Sequence, residues 1–338
     1  MIQSPSDSKV YRLITLKNDL EVLLIQRPKE DGDENETASS SSEDSENDNE
    51  SEDEDSGNES EDGNGNNSKQ ASVALSVGIG SYCDGVEVPG LAHFLEHMLF
   101  MGSEKYPKEN AFESFLSKHG GESNGMTESE HTVYMYEIHP DFLKPSLDIF
   151  AQLFIAPLFR KEACERERHA IESEFRQAQQ NDAVRLEQII RHTTNDTLLS
   201  QCGWGNESSL AGTTVPAAME TLFHSKYSSN LMKLVIQGHD TIDEMESWVR
   251  EMFSEIVNHN VKIPTFNIPE TYPWPVQNML KKTVFNIVPV KDIHFLNLHW
   301  FLPSQVNKYR SNPGRPTSIT VFKKIGVTVF IQYNDYIL

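Results

Sequence analysis

Between Pro28 and about Gln70 the chain is almost entirely Glu, Asp, Ser, Asn and Gly. No core can be built from such a run. Glu30 to Asp62 alone holds 17 acidic residues and neither Lys nor Arg. The segment carries too little apolar surface to offset the entropy of ordering it, and it is expected to be disordered. Whatever folds must therefore draw on sequence from both sides of it. The flanks fit that demand. Val10–Leu16 and Leu20–Gln26 read as a β-hairpin around the turn Asn18-Asp19, with Leu20, Val22 and Leu24 alternating. Strand alternation resumes at once in Val73, Leu75, Val77 and Ile79. The acidic run is thus an insert within a domain rather than a linker between two. It also accounts for most of the formal net charge of −22, so the rest of the body is only mildly acidic.

No basic stripe is present to neutralise phosphates, which argues against a nucleic-acid partner. At 338 residues the chain exceeds one average domain. Cys83, Cys164 and Cys202 are odd in number, widely spaced and free of any C-x-x-C, which fits reduced thiols and argues against thiolate zinc. The first residues lack the apolar stretch of a signal peptide, and no segment approaches a membrane span. The expected setting is cytoplasmic, with no membrane partner.

Beyond the insert the pattern mixes helices and strands. Asp84-Gly85 marks a turn, Pro89 a helix start and Gly102 a stop. Lys108–His119 reads as a helix ended by Gly120-Gly121, and Thr132–Ile138 as a strand. Asp141–Phe154 and Lys161–Gln179 read as helices, the first starting late or bending at Pro145. Ala217–Tyr227 is helical, Leu231–Gln237 a strand, and Thr241 with Glu244 forms a capping box that opens Ile242–Ile256. Asn286–Val290 and Phe295–Phe301 have strand character. There is no βαβ regularity, so the class is α+β, with an antiparallel or mixed sheet.

The chemistry is concentrated in Leu91-Ala-His93-Phe-Leu-Glu96-His97-Met-Leu-Phe100. Residues four apart share a helix face, so His93 and His97 can reach one metal ion, with Glu96 beside them. This is the H-x-x-E-H order of the inverzincins. In a chain of this composition chance supplies roughly 0.04 such pentads. Two histidines satisfied within a core helix are the plainer alternative. A catalytic zinc takes three protein ligands and leaves a fourth position open. For the third, Lys161–Gln179 offers Glu162, Glu165, Glu167, Glu172 and Glu174. Glu167 and Glu174 lie two turns apart on a face shared with Ala170 and Ile171. Spacing alone does not choose among the five, and a charged surface helix would look the same.

The pentad, followed by Glu167-Arg-His-Ala-Ile-Glu-Ser-Glu174, resembles the pitrilysin/insulysin family of zinc metallopeptidases. The similarity runs from about Tyr11 to Gly314, apart from the acidic run. It takes in His119-Gly-Gly-Glu-Ser-Asn124-Gly-Met-Thr127, Phe150-Ala-Gln-Leu-Phe154, Asn181-Asp-Ala-Val-Arg-Leu186, Tyr227-Ser-Ser-Asn-Leu-Met232 and Ile287-Val-Pro-Val-Lys-Asp-Ile293. An acidic insert at this place marks one member of the family, an endopeptidase acting at dibasic sites. The resemblance implies a half-chamber domain, an α+β sheet with helices packed on one face. It implies one zinc ion held by His93, His97 and Glu174, with Glu96 as the general base for the zinc's water. Glu167 then corresponds to a carboxylate that orients a ligand histidine. Asn124, Gly125, Met126 and Thr127 correspond to the strand edge and pocket where a peptide backbone is laid. Gly125 and Met126 stand where the insulysin branch has alanine and phenylalanine.

The resemblance divides the chain into a zinc-binding catalytic domain over residues 1–285, with 28–70 as the insert, and the start of a second family domain over 286–314. Residues 315–338 match nothing in the family and read as a β-prone tail, Val327–Tyr333 being an aggregation segment if unpaired. That departure is expected of splicing, intron read-through or a gene-model error. In the family a second half encloses the substrate and adds an arginine and a tyrosine. This chain is therefore expected to bind zinc, to hydrolyse peptides weakly or not at all alone, and to self-associate or pair with a second half-chamber. Two functions follow from different classes. One is a zinc endopeptidase for basic peptides; the other is a non-catalytic binder that holds basic peptides or proteins through the acidic insert.

Overall fold

A computed structural model describes residues 4, 6–28, 70–85, 87–192, 198–266 and 287–291, together with the backbone of Phe295–Leu302 and Gly326–Tyr333. The acidic insert and most of the segment after residue 291 lie outside the described residues.

The hairpin forms as its alternation demands. β1 (Val10–Thr15) pairs antiparallel with β2 (Glu21–Gln26), and Asp19 turns the chain at a φ of 64°. β3 (Ala71–Val77) follows the insert and buries Ala71, Val73, Leu75 and Val77, every second residue, while the residues between them face a half-covered side. Helix α1 (Leu91–Leu99) carries the pentad, and α2 (Ala111–Lys118) leads into β4 (Glu122–Thr127) and β5 (Thr132–Ile138). Three helices come next, α3 (Leu143–Ile155), α4 (Lys161–Ala178) and α5 (Asp182–His192). α6 (Val215–Lys226), β6 (Met232–Gly238) and α7 (Ile242–Met252) complete the body. α3 starts late because Pro145 tolerates only a first turn, and α7 opens on the expected capping box of Thr241 with Glu244.

The six strands form one mixed sheet in the order β1-β2-β6-β3-β5-β4. Only β2 and β6 run parallel within it. Register places Val22, Leu234, Leu75, Tyr134 and Gly125 in one row across five strands. That row points to the side the helices cover. Phe94, Leu95 and Met98 of α1 and Phe150 of α3 are buried in the core that includes this row. Phe150 packs between Phe112, Tyr136, Phe154 and Phe253 at centroid distances of 5.1 to 6.5 Å. Two polar groups survive in this apolar layer because each has a partner: the Tyr136 hydroxyl meets Ser146 and the Tyr134 hydroxyl meets Tyr227, both at 2.9 Å. Burial pushes all three phenols well up from their ordinary range.

Two features depart from the sequence reading. Residues 287–290 form no strand. Pro289 lacks the N–H a ladder needs, and the segment is held instead by Asp182, which accepts from the backbone of Val290 and Lys291. A separate pair, β7 (Phe295–Leu302) and β8 (Gly326–Tyr333), runs parallel, so the segment Val327–Tyr333 is partnered. The three cysteines are free thiols. Among the described residues no helix is long and apolar enough to cross a membrane.

Candidate active site

Helix α1 is apolar on nearly every side, and its two imidazoles and Glu96 are the exceptions. A buried polar group needs a partner, and each of these has one. His93 Nδ1 lies 2.7 Å from the Trp204 carbonyl, to which it donates. His97 Nδ1 lies 3.1 Å from Glu167 Oε2. Both rings thereby turn their Nε2 atoms the same way, toward Glu174 on α4. Glu174 Oε2 is 3.5 Å from His93 Nε2, and its Oε1 is 3.5 Å from His97 Nε2. Tetrahedral ligands on bonds of about 2.1 Å stand roughly 3.4 Å apart. Both Glu174 distances match that spacing, the three ligand-type atoms all lie within 4.8 Å of one another, and among the described residues His93, His97 and Glu174 form the group that could hold a metal. Two neutral imidazoles and a carboxylate are a donor set suited to zinc, and each histidine's far nitrogen is fixed by a second partner.

Electrostatics follow from the packing. Burial opposes a charge on His97, yet the hydrogen bonds of Glu167 and Glu174 push it up to about 9. In return His97 holds the Glu174 carboxyl below its ordinary range. Glu96 is only 6% exposed and accepts a 2.6 Å hydrogen bond from the Thr127 hydroxyl.

The N-terminus of α1 is clamped. Gly90, at φ 91°, precedes the helix and packs on Gly205, at φ 71°. An alanine Cβ at 90 would stand 2.2 Å from the Gly205 Cα. Only two glycines let the loop through Trp204 come near enough for its carbonyl to reach His93. Asp84 closes the other side, accepting from Gly90 N at 2.7 Å and Ala92 N at 2.8 Å. Burial pushes the Asp84 carboxyl up to about 7 against the pull of those N–H groups.

His93, His97 and Glu174 line one cleft. Its walls include β4 from Ser123 to Thr127, the α5 residues Glu187 and Arg191, and Trp204. Among the described residues β4 is the last strand of the sheet and pairs with β5 alone, so no further strand lies on its outer edge. Of the residues singled out in sequence, His93, Glu96, His97, Glu167, Glu174, Asn124, Gly125, Met126 and Thr127 all line this cleft. Glu165 and Glu162 do not line it, and Glu172 turns to Arg176 and the Glu207 backbone. Sequence reasoning missed Trp204 and helix α5, and it read Asp84 only as a turn residue. Trp204 acts through its carbonyl, which leaves no side-chain signature. α5 does carry a readable start, since Asn181 Oδ1 accepts from Ala183 N at 2.9 Å.

A mixed sheet with helices on one face, and a His-His-Glu cluster above its edge strand, define a peptidase-type domain. The chain belongs to the insulinase family, peptidase family M16. Residues 63–202 match the family's insulinase model and residues 216–315 its model of the M16 inactive domain. The boundary between those matches is not a break in the fold, because β6 lies inside the same sheet as β2 and β3. A nardilysin-like protein of Arabidopsis thaliana is 42% identical over 245 residues, 71% of this chain and 23% of that protein. Human nardilysin is 39% identical over 247 residues, 71% of this chain and 21% of its own length. Human insulin-degrading enzyme is 37% identical over 319 residues, 92% of this chain and 27% of that enzyme. The crystal structure of pitrilysin matches 79% of this chain and 25% of its own, with a TM-score of 0.66 at 29% identity. The chain thus spans about a quarter of the length of the relatives it matches.

Proposed function

We propose that the chain is the metal-binding part of a zinc endopeptidase that cleaves peptides at basic pairs. The observation that carries this reading is the paired 3.5 Å approach of Glu174 to both ligand-side imidazole nitrogens, with Glu96 beside them. His93, His97 and Glu174 hold one zinc; Glu167 and the Trp204 carbonyl orient the two rings. Zinc bound there supplies a Lewis acid and brings a water's pKa to about 7. Glu96 takes the proton from the attacking water on a carboxylate oxygen and returns it to the leaving amine. The open edge of β4, with Asn124, Gly125, Met126 and Thr127, lays the peptide backbone out as an added strand.

Preference for basic residues is supported by the cleft. Glu96, Glu128, Glu167, Glu174 and Glu187 line it against one guanidinium, Arg191, which is tied to Glu187 at 2.8 Å. Seventeen further carboxylates in the insert raise the local concentration of basic peptides, an effect that salt screens. The catalytic domain extends over residues 1–285, residues 286–314 lead toward a second half-chamber that completes the enclosure, and residues 315–338 are a tail foreign to the family.

The test is zinc content by elemental analysis, with hydrolysis of a fluorogenic peptide bearing an Arg-Arg pair. One zinc per chain and turnover lost in Glu96→Gln with zinc retained support the reading. Folded chain without zinc, or turnover indifferent to Glu96→Gln, overturns it in favour of a non-catalytic binder of basic partners. Deleting residues 30–62 is expected to raise KM for the dibasic peptide at low salt.

A further inference from the structure

The strand that offers its edge to a peptide also touches the base. Register pairs Gly125 with Tyr134 and Thr127 with Thr132, so both β4 side-chain positions lie on the helix side of the sheet, against α1. There the Thr127 hydroxyl donates to Glu96 Oε2 at 2.6 Å. Gly125 leaves the room for it: an alanine Cβ would stand 2.2 Å from Glu96 Oε1 and 2.7 Å from its Cδ.

The hydroxyls beneath fix the direction of that bond. Thr132 donates its one proton to the Ile79 carbonyl at 2.9 Å. Tyr227 bonds both Thr132 and Tyr134, the latter at 2.9 Å. Thr132 Oγ1 lies 3.5 Å from Thr127 Oγ1, too far to compete well for the Thr127 proton. A threonine hydroxyl has one proton to give, and here the carboxylate receives it.

We propose that Thr127 is a positioning residue for Glu96, and that Gly125 is the notch that admits the carboxylate. One rigid strand then sets the register of the bound backbone and the place of the base that serves it. The proposal rests on the peptidase reading, since it gives Thr127 a task within that reaction.

The experiment uses the zinc-loaded chain labelled with carboxyl-13C glutamate, the Glu96 resonance being the one lost in Glu96→Gln. Thr127→Val keeps the shape and removes the hydroxyl, and is expected to move that resonance; Thr127→Ser is expected to restore it. Gly125→Ala leaves every donor in place and is expected to move it as well, which keeps the test available if Thr127→Val does not fold. With the fluorogenic peptide, Thr127→Val is expected to lower kcat about tenfold, part of the 10²–10⁴ that general base catalysis supplies, with KM and zinc content within twofold. A Glu96 resonance that neither Thr127→Val nor Gly125→Ala moves overturns the proposal, as does Thr127→Ser failing to restore it. A folded wild-type chain that takes up no zinc, or whose turnover is indifferent to Glu96→Gln, defeats the peptidase reading separately, and the resonance still decides whether Thr127 holds Glu96.

Discussion

Replacing Gly90 by alanine is expected to weaken zinc binding through a loop more than a hundred residues away. At φ 91° an L residue carries about 1–2 kcal/mol of backbone strain. The larger consequence is steric. The new Cβ would stand 2.2 Å from the Gly205 Cα and 2.5 Å from its nitrogen, where ordinary contact begins at roughly 3.5 Å. Loop and helix must therefore part by about 1 Å. The His93 Nδ1 to Trp204 carbonyl distance, now 2.7 Å, would then pass 3.5 Å and cease to be a hydrogen bond. Losing the partner that orients a metal-binding histidine typically costs 10–100-fold in affinity, about 1.4–2.8 kcal/mol. Gly120→Ala is the control, because Gly120 has a φ of 66° but nothing within 4 Å of an added Cβ. The assay is zinc Kd by competition with a chromogenic chelator, beside a thermal melt of each variant. Both should melt lower, and only Gly90→Ala should lose zinc affinity. A Kd within twofold of the Gly120→Ala value would refute the idea that the Gly90–Gly205 contact orients His93.

Glu174→Gln should abolish stoichiometric zinc, while Glu167→Gln, which removes only a charge from the far side of His97, should weaken it 10–100-fold; equilibrium dialysis separates the two, and equal losses would count against their assigned roles. Asp84 titrates near 3.8 when unfolded and at about 7 when folded, so between those values the folded chain keeps a proton that the unfolded chain has lost. Stability should accordingly fall as pH rises from about 4 through 7, by roughly 1.4 kcal/mol per unit at most. Asp84→Asn should flatten that slope in melts across pH 5 to 7.5, and an unchanged slope would exclude Asp84 as its source. Phe150→Ala empties the centre of a five-ring cluster and should cost about 3–5 kcal/mol by urea denaturation; a loss under 1 kcal/mol would mean the helices repack freely over the sheet.

What was legible in the chain was whatever rests on local periodicity or on side chains of distinctive chemistry. The Leu20, Val22 and Leu24 alternation, the Thr241 capping box and the imidazole pair four apart on α1 each follow from geometry within a few residues. They need no knowledge of what packs beyond them. Glu174 was one of five acidic candidates on its helix until the resemblance to a family singled it out. β4 was faint as a strand, because Gly125 breaks its propensity and its edge position removes half of its partners.

Tertiary structure decided the rest, for one physical reason: these features are made of approaches between parts of the chain that are distant in sequence. Trp204 serves His93 with a backbone carbonyl, which any residue possesses, so no pattern could nominate it. Gly90 and Gly205 matter only because they touch. Gly125 reads alone as a weak spot in a strand; beneath α1 it is the space that Glu96 occupies. Sequence determined which groups could do chemistry here, and folding determined which of them face one another across 3.5 Å.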